Sequence, residues 1–163
     1  PTRVSVAYSR DLNLRNLQRG NLILVGSRRA IPWVDLFDNS LDFHFAYDEG
    51  DRNVIVHNRK PRKGEFTQLR LENPTITGTV ERFSVVASLP NPSGGGNVLI
   101  FSGQEMSGTE AAANLVTTEA SLRDLVNRLP PARNGVPYFE ALLKVKHVEY
   151  TTQSYEIIAI HTH

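Results

Sequence analysis

The chain has 163 residues, of which 40% are hydrophobic and 21% are charged, a composition typical of a globular domain and not of a disordered segment. Its 18 Lys and Arg residues nearly balance its 17 Asp and Glu residues, which gives no reason to expect nucleic acid as a partner. The absence of cysteine excludes disulfides, thiolate nucleophiles and cysteine-ligated metal centres.

The length fits one domain, and the start at Pro1 carries neither an initiator Met nor a signal sequence. We therefore expect residues 1–163 to form a single domain excised from a longer protein. No apolar run approaches the roughly 18 residues that predict a membrane-spanning helix, so no membrane span is expected in this chain.

The first half of the chain is predicted to alternate short strands and helices. Asp11 can cap a helix that Gly20 ends, and Pro32 favours the first turn of another. The unbroken apolar run at 22–25 predicts a strand covered on both faces, whereas strict alternation predicts half-buried strands. The predicted elements are strands at 3–8, 21–25, 41–47 and 53–57, helices at 11–18 and from 32 onward, and a hairpin turn at 48–51.

The second half is predicted to contain the longer strands and two further helices. A Pro- and Gly-rich turn at 90–96 separates a long strand, 79–89, from a strongly apolar strand, 97–101. Helices follow at 110–116, capped by Ser107 or Thr109, and at 121–129, before a closing hairpin of strands 138–150 and 154–161. Some strands are followed by helices and others by tight turns, which predicts an α/β fold with a mixed β-sheet, helices packed on it and a closing C-terminal β-hairpin.

Two places in the sequence share one design, in which an apolar strand runs into a turn containing Gly and Ser and then into a helix. Open α/β sheets bind ligands outside the carboxyl ends of their strands, where helix N-termini present unpaired N–H groups. Paired Arg side chains in the first turn would add donors for an anion, and a Trp nearby could stack on a ligand or anchor the core. The candidate ligand-binding residues are Ser27, Arg28, Arg29, Trp33, Ser102, Gly103, Ser107 and Thr109.

The alternative for both turns is ordinary turn and cap chemistry. Neither matches a Walker A motif or a full dinucleotide fingerprint, so no nucleotide and no other cofactor is predicted. Ser107 precedes Gly108, but Glu105 stands where a nucleophile elbow would have its first Gly, and no catalytic residue is assigned. His161 and His163 could touch a metal together from one face of the last strand, but an exposed pair is the ordinary interpretation and no metal is predicted.

Several stretches from the first helix to the C-terminus resemble an uncharacterised C-terminal domain of acidobacterial proteins. They are residues 11–21, 23–29, 32–37, 108–112 and 159–163. The family commonly ends in Trp where this chain has His163. The resemblance implies a sensory or regulatory module, often behind a membrane helix and in some members behind a winged-helix domain, and it implies no activity.

These observations favour a ligand-sensing or regulatory domain of a larger bacterial protein, with a small anionic or polar molecule as its partner. One alternative is a module for dimerisation or protein interaction, because the small residues at 108–113 would suit either close packing within the domain or a homo-oligomer contact. A small hydrolase or transferase is the third hypothesis.

Overall fold

Two β-sheets and a layer of helices make up the described part of the chain, which in this computed structural model comprises residues 4–18, 20–47, 54–71, 75–76, 78–133 and 135–163. The helices are α1 (Leu14–Leu17), α2 (Met106–Thr117) and α3 (Glu119–Arg128), with 3₁₀ helices at Ser9–Asp11 and Pro32–Ser40. The strands are β1 (Leu22–Val25), β2 (Phe43–Tyr47), β3 (Val54–Asn58), β4 (Gln68–Arg70), β5 (Thr75–Ile76), β6 (Thr79–Pro90), β7 (Asn97–Gly103), β8 (Phe139–Val148) and β9 (Thr151–Thr162).

The main sheet is mixed. Among the described residues it contains six strands in the order β1-β7-β6-β8-β9, with β5 pairing with β6. β1 runs parallel to β7, whereas the other pairs are antiparallel. β2, β3 and β4 form a separate antiparallel sheet. The predicted α/β fold with a mixed sheet, packed helices and a closing C-terminal hairpin is confirmed.

The main sheet is covered on both faces, so the fold has three layers. Along β6, Phe83, Val85 and Ala87 point to the small sheet and the second 3₁₀ helix, and Val86 points to the helices. The core on the helix side contains five buried residues of α2, α3 and the residue that follows α3: Ala111, Ala112, Leu115, Leu125 and Leu129. Each fully buried Leu, Val or Phe side chain contributes roughly 1.5–3 kcal/mol. In the described chain no helix is both long and apolar enough to cross a membrane.

The N-terminal segment departs from its prediction. Residues 4–8 form no regular structure and their apolar side chains are exposed, because an alternating pattern becomes a stable strand only where other strands pair with it. The helix predicted from Asp11 shortens to α1, and Asn13 caps it by accepting a hydrogen bond from the Asn16 backbone. The predicted hairpin turn at 48–51 lies outside the described residues.

The prediction that β1 is covered on both faces is wrong. Leu24 is buried, but Ile23 and Val25 are 64% and 52% exposed. β1 ends the main sheet, and α2 packs on β6 to β9. An apolar run predicts that a strand forms and how long it is, but it does not distinguish an edge strand from a central one.

Both predicted helices that follow strands of the parallel pair take a different form. The helix expected from Pro32 is a 3₁₀ helix. α2 begins earlier than predicted, at Met106, and its N-cap residue is Glu105, without a side-chain cap hydrogen bond, in place of Ser107 or Thr109. Ser107 therefore lies within the first turn of α2.

Candidate functional site

The two strand–turn–helix units lie at the same edge of the main sheet. Val25 pairs with Phe101 in register, and the Gly26 backbone N–H donates to Phe101 O at 2.8 Å. The chain after β1 packs on the small-sheet face, through Val34 and Phe37, whereas the chain after β7 enters α2 on the opposite face. Adjacent parallel strands whose connections leave to opposite faces form the crevice in which open α/β sheets bind ligands.

In the first unit the charge of Arg28 is already compensated. Arg28 forms ion pairs with Asp35 and Asp38, and Arg59 and His44 also contact Asp38, at 2.9 and 2.8 Å. Burial raises the pKa of Asp38, but the Arg59 hydrogen bond and the charges of His44, Arg59 and Arg28 outweigh it, so the pKa lies below its usual value. Asp38, which lies near this end of β1, thus already supplies Arg28 with a negatively charged partner.

The other predicted members of the first unit are also engaged within the domain. The Arg29 guanidinium lies over the Tyr47 ring, 5.7 Å from its centroid, a cation–π contact. The indole N–H of Trp33 donates to Ser9 O at 2.9 Å, so Trp33 ties the N-terminal segment to the second 3₁₀ helix. Ser27 contributes its backbone oxygen, which accepts hydrogen bonds from Ala30 and Ile31. The Arg29 and Trp33 side chains and the Ser27 backbone oxygen therefore already have partners within the domain.

In the second unit the chain leaves β7 and crosses β6. The Gln104 side-chain oxygen accepts from the Phe83 backbone N–H at 2.8 Å. The Ser84 hydroxyl lies within hydrogen-bond distance of the carbonyl oxygens of Ser102, at 3.1 Å, and Gly108, at 2.7 Å. These contacts fix the first turn of α2 above β6, beside the end of β8.

A polar cluster occupies this position, and we call it the α2 site: Arg82, Glu105, Ser107, His147 and Tyr150. Arg82 Nε donates to Glu105 Oε1 at 2.7 Å, and His147 Nε2 lies 3.2 Å from Glu105 Oε2. Ser107 and His147 are buried, at 0% and 3% exposure, whereas Glu105 is partly exposed. Glu105 therefore connects the buried part of the site to solvent.

Most of the unsatisfied polar atoms of the described chain are in the α2 site. Among the described residues, five buried side-chain atoms lack a hydrogen bond of regular geometry, and four of them are Glu105 Oε2, Ser107 Oγ and both ring nitrogens of His147. Glu105 Oε2 and His147 Nε2 lie 3.2 Å from each other, which leaves Ser107 Oγ and His147 Nδ1 without a partner. A buried polar atom without a partner costs about 1–3 kcal/mol, and native proteins satisfy nearly all of them. Ser107 Oγ and His147 Nδ1 therefore retain hydrogen-bonding capacity that the described residues do not use.

Tyr150 covers the α2 site from the β8–β9 turn. Its ring stacks on His147, with the centroids 6.0 Å apart and the planes 18° from parallel. Val148 pairs with Thr151, so the turn has two residues, Glu149 and Tyr150, with φ of 47° and 65°. Such turns favour Asn-Gly, and side chains larger than Gly in the left-handed region cost of order 1–3 kcal/mol each. The backbone thus holds Tyr150 over His147 at a cost in stability.

A serine hydroxyl beside a histidine is the arrangement that the hydrolase hypothesis requires, with the histidine accepting the hydroxyl proton. Ser107 and His147 are neighbours, because Thr152, which pairs with His147, donates through its hydroxyl to Ser107 O at 2.9 Å. Ser107 Oγ and the His147 nitrogens nevertheless share no hydrogen bond. The hydrogen bond that would activate the Ser107 hydroxyl is therefore not formed.

The predicted site residues separate into two groups. Ser107 belongs to the α2 site. Gly103 contacts the backbone of Gly108 and Thr109 in the first turn of α2, the Thr109 hydroxyl lies 3.4 Å from Glu105 O, and Ser102 is buried. The remaining four are at or beyond the end of β1, three strand spacings from β8, or about 14 Å; they are Ser27, Arg28, Arg29 and Trp33. One small ligand does not span both groups.

Sequence reasoning did not identify Arg82, Glu105, His147 or Tyr150 as candidates. The sequence contained one indication of His147. Buried apolar side chains alternate along β8 as far as Val145, and His147 takes the next buried position in that alternation. A titratable residue on the buried face of a strand either finds a partner or serves a function.

Comparison of the chain with protein-family models, with curated proteins and with solved structures gave no match. The resemblance to the acidobacterial domain family stays a prediction.

Proposed function

We propose that the chain is the ligand-sensing domain of a larger bacterial protein and that it binds a small polar or anionic ligand in the α2 site. The observation that carries this proposal is the pair of buried polar atoms without a partner, Ser107 Oγ and His147 Nδ1, beside the contact between Glu105 and His147 at the start of α2. A ligand that hydrogen-bonds to them removes their desolvation cost, and binding thereby stabilises one conformation of the hairpin that covers the site.

The chemistry of the α2 site restricts the ligand. The Ser107 hydroxyl both donates and accepts, the His147 ring nitrogens donate when they carry a proton and accept when they do not, and Glu105 offers an acceptor. The first turn of α2 adds the positive end of the helix dipole. The site therefore suits a small molecule with a hydroxyl or carboxylate group, and the exposed Tyr150 ring gives it an apolar surface.

The charges at the β1 end argue for the α2 site over the first turn. Arg28 is compensated by Asp35 and Asp38, and Arg29 rests on Tyr47. An incoming anion would have to displace these carboxylates or compete with them. We therefore expect ligand binding to be independent of Arg28 and Arg29.

The test is a thermal-shift screen of the domain against anionic metabolites, nucleotides and sugars. A ligand at a hundred times its dissociation constant should stabilise the fold by about 2.7 kcal/mol. Ser107→Ala should abolish the response and leave the free domain equally or more stable, because its hydroxyl has no partner to lose.

Ser84→Ala is the matched control. Ser84 is also a buried serine under α2, but its hydroxyl is bonded to backbone oxygens, so its loss should cost about 1 kcal/mol and leave the ligand response intact. The proposal is wrong if Ser107→Ala responds like wild type, if Arg28→Ala with Arg29→Ala abolishes the response, or if no compound of these classes binds.

The exposed edge of β1 supports a second candidate function, dimerisation. β1 ends the sheet with Ile23 and Val25 exposed, and an apolar edge strand is a template for pairing with another chain. A mass that rises with concentration in wild type, and that Val25→Lys returns to the monomer value, would support this candidate. A constant monomer mass would remove it.

A further inference from the structure

A second polar cluster lies on the opposite face of the main sheet, toward its other end. Glu140 of β8 is 0% exposed, and its carboxylate accepts the backbone N–H groups of Asp42 at 2.7 Å and Phe43 at 3.0 Å. Asp42 is buried as well. Glu140 therefore fastens the start of β2, and with it the small sheet, to the main sheet.

His161 orients this cluster from β9. Its Nδ1 lies 2.8 Å from Asp42 Oδ2, and its Nε2 lies 2.8 Å from Glu65 Oε2. Both ring nitrogens are thus engaged with carboxylates. His163 follows on the same strand end, with its Nε2 3.7 Å from Glu140 Oε2 and its side chain partly exposed.

We propose that Asp42, Glu140 and His163 bind a divalent transition-metal ion, with Zn²⁺ as the reference ion. One ligand atom from each residue lies within 4.8 Å of the other two. Ligand atoms around a tetrahedral Zn²⁺ lie roughly 3.4 Å apart, as follows from bonds of about 2.1 Å. The partly exposed His163 ring can supply the contraction, since it is the least constrained of the three.

The choice of ion follows from the ligand types. An imidazole with two carboxylates suits Zn²⁺ and similar transition metals more than Ca²⁺ or Mg²⁺, which take oxygen ligands. Three protein ligands leave a coordination position open. The hydrogen bonds from His161 to Asp42 and from the backbone to Glu140 resemble the outer contacts that orient metal ligands in known sites.

The charges in the cluster provide an independent reason for a cation. Asp42 Oδ1 is a buried oxygen whose partner is the ammonium group of the largely exposed Lys60, with Nζ at 2.9 Å. Among the described residues, His163 is the basic group nearest Glu140. Buried carboxylates are costly unless a cation compensates them, and a divalent ion between Asp42 and Glu140 would compensate both and release Lys60 to solvent.

The test is calorimetric titration of Zn²⁺ into the chain without a polyhistidine tag, with Co²⁺ absorption as a second measurement. We expect one Zn²⁺ per chain. His163→Ala should weaken binding at least tenfold and abolish the Co²⁺ spectrum, whereas His57→Ala, a histidine on β3 that contacts Gln68, should leave both unchanged. Lys60→Met should strengthen binding several-fold, since it removes the competing ammonium group.

The proposal is overturned if wild type binds no Zn²⁺, if His163→Ala binds like wild type, or if Lys60→Met weakens binding. His163 is at the periphery of the cluster, so its loss should leave the fold intact, which circular dichroism checks. Ser107→Ala should bind Zn²⁺ normally, and this separates the metal site from the ligand proposed for the α2 site.

Discussion

Gly103 and Gly108 bring the end of β7 and the first turn of α2 into direct backbone contact. A Cβ atom on Gly103 would lie 2.5 Å from the carbonyl carbon of Gly108 and 2.4 Å from the backbone nitrogen of Thr109. These are backbone atoms of a helix that is held to β6 by Ser84, so a side chain at 103 can be accommodated only if α2 moves. The position of Glu105 and Ser107 over His147 depends on this contact.

Gly103→Ala should therefore destabilise the domain and displace the α2 site. We expect a loss of roughly 1–3 kcal/mol from overpacking, measured by urea unfolding, together with loss of the ligand response. Gly95→Ala is the control, because a Cβ there has its nearest contact at 3.5 Å, from Gln18 O. Equal effects of the two substitutions would show that the contact at Gly103 is not tight.

Replacement of Glu149-Tyr150 by Asn-Gly should stabilise the β8–β9 hairpin and weaken ligand binding. Both residues have positive φ, which Asn and Gly adopt at lower cost, so we expect a gain of about 1 kcal/mol in unfolding free energy. The loss of the Tyr150 ring from His147 should reduce the thermal shift caused by ligand. Tyr150→Phe keeps ring and turn, so it should match wild type in both measurements.

Asp38 should contribute stability that depends on pH. Its pKa is lowered in the folded state, so the contribution is present above the unfolded pKa of about 3.9 and is lost as the pH falls through the lower folded value. Asp38→Asn should be less stable than wild type at pH 7, and the difference should shrink as the pH falls below about 4.

The control for this pH dependence is Asp124→Asn. Asp124 pairs with Arg128 on the surface of α3, where an ion pair between exposed side chains contributes little. Unfolding curves measured between about pH 2 and pH 7 should show a small effect of this substitution at every pH. A constant difference between Asp38→Asn and wild type would contradict the assignment.

Glu140→Gln should lower the free energy of unfolding by more than the similarity of the two side chains suggests. Both carboxylate oxygens of Glu140 accept backbone N–H groups, and an amide replaces one acceptor with a donor that faces an N–H. Hydrogen bonds to charged groups contribute about 1.5–3 kcal/mol each, so we expect a loss in that range by urea unfolding. Glu156→Gln, at an exposed pair with Lys144, should cost much less; a similar loss would contradict the role of Glu140.

Local patterns predicted much of the fold. Alternation identified β2, and the apolar and turn composition placed β6, β7 and the closing hairpin close to their observed bounds. The same patterns do not report which strands end a sheet, which is why β1 was expected to be buried although Ile23 and Val25 are exposed.

The two polar clusters depend on strand order, and that explains why they were only partly predicted. Ser107 was predicted as a site residue because it lies between an apolar strand and a helix, a pattern that the local sequence shows. Glu105 and His147 meet only because β8 pairs with β6 beneath the start of α2. Asp42, just before β2, and His161 of β9 likewise meet only because the small sheet packs on the main sheet. Neither pair is indicated by a spacing within the sequence.

The parallel pairing of β1 with β7 also sets an order for folding. Residues 22–25 pair with residues 98–101, so the intervening chain must be closed into a loop before this contact forms, whereas β6 with β7 and β8 with β9 are joined by short connections. Long-range pairing is slow to form, and an edge strand with half of its side chains in water has little to hold it. β1 should therefore dock last, and its amide hydrogens should exchange faster than those of β6 and β8.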